Sequence, residues 1–224
     1  MIDYEQTGLY SQGMSKQIAT RPAKRPGPQP GQIDGSARER LLAAADELFY
    51  REGVHTVGID RVIERAGVAK ASLYSAFGSK EELVLAYLQG RADRRRQRVL
   101  AAIAAHETPR ARILAVFDVM AARVAEPDFR GCAFVNASAE GPPGDNRLRR
   151  ACDDLRQWTA RLFIGLAREL GGPDPTGLGR QLMLLYDGAL LGASMDRDAR
   201  VVRQARAMAE SLLDAVPRPS RARA

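Results

Sequence analysis

The stretch Ile59-Asp60-Arg61-Val62-Ile63-Glu64-Arg65-Ala66-Gly67-Val68-Ala69-Lys70-Ala71-Ser72-Leu73-Tyr74-Ser75-Ala76-Phe77-Gly78-Ser79-Lys80-Glu81-Glu82-Leu83 holds two short helical patterns around one glycine. Ile59, Val62 and Ile63 fall on one helical face, and Asp60 stands in the first turn, where the helix dipole favours an acid. The pattern stops at Ala66-Gly67-Val68, a point where Gly67 tolerates positive φ. A second helix runs from about Ala69 to Ala76, with Leu73 and Phe77 as its inward face. Two helices joined this way have the shape of a helix-turn-helix, whose second helix enters the major groove of DNA. Lys70, Ala71, Ser72 and Tyr74 then become the DNA-facing candidates. Small Ala71 lets the backbone approach, while Lys70 and Tyr74 can reach phosphates. An ordinary three-helix corner of a larger bundle gives the same pattern.

Outward from this unit the chain remains helical in pattern. Ser36 and Glu39 form an S-x-x-E capping box, after which Leu41, Ala45, Leu48 and Phe49 share a face up to Gly53. Ser79 with Glu82 makes a second box, opening a long helix through about Ala105. Beyond Pro109, apolar helical segments fall near 110–125, 132–140, 145–170, 176–194 and 198–215. They are separated by Glu126-Pro127-Asp128, Gly141-Pro142-Pro143-Gly144, Gly171-Gly172-Pro173 and Met195-Asp196. Leu148, Cys152, Leu155, Thr159, Leu162 and Leu166 alternate steps of four and three, a seam for packing on neighbouring helices. No period-2 strand or hairpin signal emerges. The expected fold class is therefore all-α, with about nine helices.

Residues 1–35 are aperiodic and proline-rich, and read as a flexible basic arm; Met14 is an alternative start. Within the arm, Arg21-Pro22-Ala23-Lys24-Arg25-Pro26 can lie along a minor groove, with Arg25 the candidate contact, or serve only as a solvated linker. The formal charge of +7 hints at an anionic partner. It is concentrated at the front, in Arg91 to Arg98, and in the tail after Pro217. The middle patch lies ~15–25 Å along its helix from Lys80 at 1.5 Å per residue, and reads mainly as a solvated face. No apolar stretch reaches the ~18 residues of a membrane helix, and no secretory signal opens the chain, so a soluble cytoplasmic protein is expected. Two cysteines and two histidines supply neither a disulfide framework nor a metal cluster. Without a Gly-rich phosphate loop or a nucleophile–base pair, an enzyme is disfavoured, and no cofactor is expected.

The run from Ile59 to Leu83, together with the helix before it, resembles the DNA-binding domain of TetR-family transcriptional regulators over residues 36–83. The shared pattern is A-G-V, a small or basic pair, S/T-L-Y, two residues, F, then S-K-E-x-L. The resemblance implies phosphate contacts by Tyr74 and by Lys80, the latter beside the backbone N–H groups of a helix start. Thr56 is a further candidate, although it precedes the second helix by more than the usual threonine does. Ser75-Ala76 replaces the bulky pair often found there, so contacts at Ser75 should be altered. Ala69 stands where a capping Ser or Thr is common, at a cost of about 1 kcal/mol. The resemblance also implies a helix-turn-helix domain over 36–83, a ligand-binding and dimerisation body over 84–216, and a disordered basic tail over 217–224.

In that body Phe117, Met120, Phe129, Phe134, Trp158, Phe163 and Tyr186 are pocket candidates, each also suited to plain core. Together they suggest a mainly hydrophobic small-molecule effector. Phe129-Arg130-Gly131-Cys132 places a thiol at a helix start beside an arginine, a setting that favours thiolate. A cysteine flanked by Phe and Ala is equally a small buried hydrophobe, and that is the plainer reading. Gly188 and Gly192, amid Leu185 and Ala189, combine with Val201, Ala205, Met208 and Leu212 as a face where two helices of each copy could meet. Intrachain packing would produce the same pattern; the resemblance favours the dimer. The function expected is a homodimeric repressor, bound to a palindromic double-stranded DNA operator in the bacterial nucleoid and released by its effector. The rival is a protein of the same fold that works through a protein partner or by nonspecific DNA binding.

Overall fold

The computed structural model describes residues 35–140 and 146–217. The arm with Arg25, the Gly141 to Gly144 break and the basic tail from residue 218 onward lie outside them. Among the described residues all regular structure is helical: α1 (Ala37–Glu52), α2 (Ile59–Ala66), α3 (Lys70–Phe77), α4 (Lys80–Ala104), α5 (Pro109–Val124), α6 (Ala133–Glu140), α7 (Asn146–Leu170), α8 (Pro175–Asp196) and α9 (Arg200–Asp214). No helix among them is long and apolar enough to cross a membrane.

The helix starts follow local chemistry. Ser36 Oγ accepts the Glu39 N–H at 3.3 Å, and the Glu39 carboxylate accepts the Ser36 N–H at 2.8 Å, closing the expected capping box. The second box closes only halfway. Ser79 Oγ accepts the Glu82 N–H at 3.2 Å, but the Glu82 carboxylate turns to Arg147 on α7. Thr108 and Asp174 cap α5 and α8, each ahead of a proline at the first helical turn.

Two apolar cores fill the chain. The first joins α1–α3 and the front of α4 to Ala133, Phe134 and Ala137 of α6 and to Leu148 and Leu155 of α7. The second joins α5, α8, α9 and the far half of α7, centred on Phe117, Phe163 and Tyr186, whose ring centres lie 5.8–6.0 Å apart. Trp158 packs against both. The core under the helix-turn-helix thus runs past residue 83, because α6 and α7 cover the apolar faces of α1 and α4. Leu148, Leu155, Thr159 and Leu166 of the α7 seam are buried as its periodicity implies. At Gly179 of α8 a side chain would stand 2.8–2.9 Å from the backbone of Ile164, so glycine sets how closely α7 and α8 cross.

The Arg91 to Arg98 run departs from the expected solvated face. Arg91 is largely covered: it pairs with Asp46 at 2.8 Å and stacks 3.6 Å from the centre of the Tyr50 ring. Arg95 points into the body and donates to the Tyr186 hydroxyl at 3.1 Å. Arg96 lies 5.8 Å from the Trp158 ring centre. Inward residues one turn apart form a stripe, and this stripe happens to be charged.

Candidate nucleic-acid interface

The turn between α2 and α3 is set by Gly67, at φ 61° and ψ 43°. Its left-handed conformation lets Val68 N–H reach Ile63 O at 3.3 Å, ending α2 and starting α3 almost at once. Leu73 is fully buried against α1, as are Val62 and Ala66 from α2. Once that face is locked inward, the 3.6-residue period turns Lys70, Ala71, Tyr74 and Ser75 outward, and all four are exposed. Tyr74 is 47% exposed, unusual for so large a ring, with nothing in the first core claiming it. Ser72 sits at the edge of this face, half-buried. Phe77 is partly buried and carries Arg38 4.9 Å from its ring centre.

The supporting charges are arranged around this face. Arg61 pairs with Glu52 at 2.6 Å and Arg65 with Glu47 at 2.7 Å, which ties α2 to α1. Lys70 Nζ rests 3.0 Å from Asp60, and this hydrogen bond holds the Lys70 ammonium above its ordinary range. Both side chains are exposed, so water and salt screen the pair and leave Lys70 able to swing to a phosphate. Lys80 opens α4 directly after its Ser79 cap, within the turn where free backbone N–H groups gather. Thr56 is exposed in the turn before α2, whose N-cap is Gly58 with no side-chain bond. Ala69 caps α3 and likewise offers no side-chain acceptor.

The remaining candidates are distributed differently. Phe117 and Phe163 are fully buried in the second core, and Trp158 bridges the cores. Met120, Phe134 and Tyr186 line a cavity of about 200 Å³ between α1, α4, α5 and α8, and Phe134 and Tyr186 also line a neighbouring one of about 420 Å³. Cys132, half-buried just before α6, lies between the two. Cys152 donates to Phe134 O at 3.3 Å, and burial pushes its thiol up to about 11. Of the dimer candidates, Gly188 and Met208 are exposed, and Leu185, Val201 and Leu212 are half-buried. Ala189 and Ala205 are buried within the chain, and Gly192 faces Val201 closely enough that a side chain there would meet it. The open face of α8 is instead Leu184, Gly188, Leu191 and Met195, one residue out of phase with the expected stripe. A run apolar all round does not reveal from sequence which side is free.

Residues 41–87 match the family profile described as "Bacterial regulatory proteins, tetR family". A 56-residue segment is 50% identical to the HTH-type transcriptional activator FasR of Mycolicibacterium smegmatis, spanning 25% of this chain and 26% of that protein. A longer match, 27% identical over 139 residues, covers 61% of this chain and 74% of the HTH-type transcriptional regulator LmrA of Bacillus subtilis. Among solved structures, a TetR-family transcriptional regulator from Streptomyces coelicolor is 36% identical with a TM-score of 0.76, covering 80% of this chain and 95% of that one. A second, from Streptomyces avermitilis, is 33% identical with a TM-score of 0.67, covering 81% and 98%.

Proposed function

This chain belongs to the TetR family of bacterial transcriptional regulators, and from that premise we propose that it acts as a homodimeric repressor, released from a palindromic operator by a small, mainly apolar effector. It is a DNA-binding regulator and not an enzyme. The observation that carries the reading is the outward face of α3, where an uncommonly exposed Tyr74 stands beside Lys70, Ala71 and Ser75 while Leu73 anchors the helix from behind. Tyr74, Lys70 and Lys80 position the protein on phosphates; Ala71, Ser72 and Ser75 meet base edges; Thr56 and Arg25 add contacts at the flanks. Residues 36–83 form the DNA-binding unit and 84–216 the effector and dimer body.

Dimerisation uses the open α8 stripe of Leu184, Gly188, Leu191 and Met195 together with Met208 of α9, five residues that leave an apolar patch uncovered in the single chain. A two-fold axis there gives half-sites about one helical turn apart, or a multiple of it. Effector binding then favours a dimer whose recognition helices are wrongly spaced, since a ligand shifts an equilibrium only through its differential affinity.

The test is fluorescence anisotropy on DNA from upstream of the protein's own gene, against scrambled competitor, at two salt concentrations. Specific binding should exceed nonspecific binding by about a thousandfold or more. Replacing Tyr74 and Lys80 together by alanine should remove that specific binding while the dimer persists in size-exclusion chromatography. Lys80→Ala alone should lower the salt slope by about one. Operator affinity retained by the double variant overturns the assignment.

A further inference from the structure

The smaller cavity has an unusual charge balance. Arg91, Arg94, Arg95, Arg98 and Arg123 line it, against the carboxylates of Asp46, Glu126 and Asp128. Those carboxylates are already engaged. Asp46 takes both Arg91 at 2.8 Å and Arg94 at 2.7 Å, and Arg123 takes Glu126 and Asp128 at 2.7 Å each. Arg95 differs. Its guanidinium donates to the Tyr186 hydroxyl, a phenol where its neighbours have carboxylates, and Cys132 lines the same cavities. Among the described residues no ion pair engages it. An arginine stays charged in proteins, and a charge withdrawn from water without a counter-charge is costly. Arg95 also stands where the two cavities meet, so its fork is reachable from either side. Beside these charged groups, Met120, Val124, Phe129 and Phe134 give the smaller space an apolar side.

We propose that the effector is an organic monoanion whose carboxylate pairs with the Arg95 fork and whose apolar body lies against Met120, Val124 and Phe129. The proposal rests on the ligand-responsive reading above and adds the chemistry of the head group. A guanidinium fork matches a carboxylate with two parallel hydrogen bonds, and the apolar walls supply affinity that an inorganic anion could not use. The same cavity wall reaches the DNA-binding unit. Asp46 is on α1, and its bonds to Arg91 and Arg94 fasten α1 to α4. Tyr50, also on α1, accepts from Arg130 N–H at 2.9 Å and donates to Gly131 O at 3.0 Å, which fastens it to the segment before α6. A second anion entering beside Arg91 and Arg94 repels Asp46 and competes for its partners. Effector binding and the α1–α4 lock are thereby opposed, which is the differential affinity that release from DNA requires.

The experiment is isothermal titration of the full chain with hexanoate, octanoate, decanoate, benzoate and phenylacetate, each beside its primary amide, with operator affinity measured by anisotropy on the same samples. At least one acid should bind about tenfold or more tightly than its amide, the difference expected of a charge-assisted pair. Arg95→Met should erase that preference and Arg95→Lys should keep part of it. The preferred acid should also weaken operator binding by wild-type protein. The acid–amide comparison on wild-type protein stands whether or not a variant folds. Equal affinity for every acid and its amide, or a preference that survives Arg95→Met, overturns the proposal. Specific DNA binding without any acid preference removes the anion site and leaves the regulator. Acid preference through Arg95 without specific DNA binding does the reverse.

Discussion

Single residues set the geometry of the two places proposed to meet other molecules. At Gly67 the backbone enters the left-handed region with open space around it, so an added methyl would meet no neighbour and the cost is conformational alone. Gly67→Ala should lower stability by about 1 kcal/mol in thermal or denaturant unfolding and misalign α3 on α2. An unchanged midpoint would mean that the turn is not held by this residue. The outward position of Tyr74 and the place of Lys80 at the start of α4 were legible from sequence because they follow from short-range spacing. Arg91 and Arg95 were not. As a string they belong to a charge run, and the groups that draw them inward, Asp46, Tyr50 and Tyr186, stand on α1 and α8, far away along the chain. Cys152 was correctly read as a seam residue. Burial raises its thiol to about 11, so at neutral pH it should resist iodoacetamide while the protein is folded and react once it is unfolded, as mass spectrometry can show.

Elements were far easier to read than contacts, since a helix announces its ends through neighbours three or four residues away. Ser36 with Glu39, Pro109 and the Gly171 to Pro173 break each mark a boundary that the fold respects. The half-closed Ser79 box shows the limit of such reading: a glutamate suited to its own cap was taken by Arg147, on a helix that sequence alone does not place nearby. The uncapped start of α3 offers a direct test. Ala69 has the extended dihedrals of an N-cap, φ −74° and ψ 149°, but no side-chain acceptor. Ala69→Ser should stabilise the chain by about 1 kcal/mol in thermal unfolding. Because the change touches no proposed base contact, operator specificity should stay the same. A loss of stability would show that the cap geometry is not available to serine.

Across the whole molecule, the packing explains why the open apolar stripe on α8 could not be seen beforehand. α8 is apolar on nearly every side because α5, α7 and α9 cover part of it, and only the assembled body shows that Leu184, at 73% exposure, and Met195, at 75%, are left over. Leu184→Glu with Leu191→Glu should yield a monomer in sedimentation analysis, with helicity intact and operator binding weakened by the loss of the second half-site. A dimer that survives both changes would place the interface elsewhere. The two cores meet at Trp158, the chain's single tryptophan, with Arg96 of α4 against its ring. Its indole therefore watches the joint between α4 and α7 from within. A rotation of α4 of the kind proposed would change the polarity around one chromophore, so intrinsic emission would time the proposed switch without a dye, a label or a mutation.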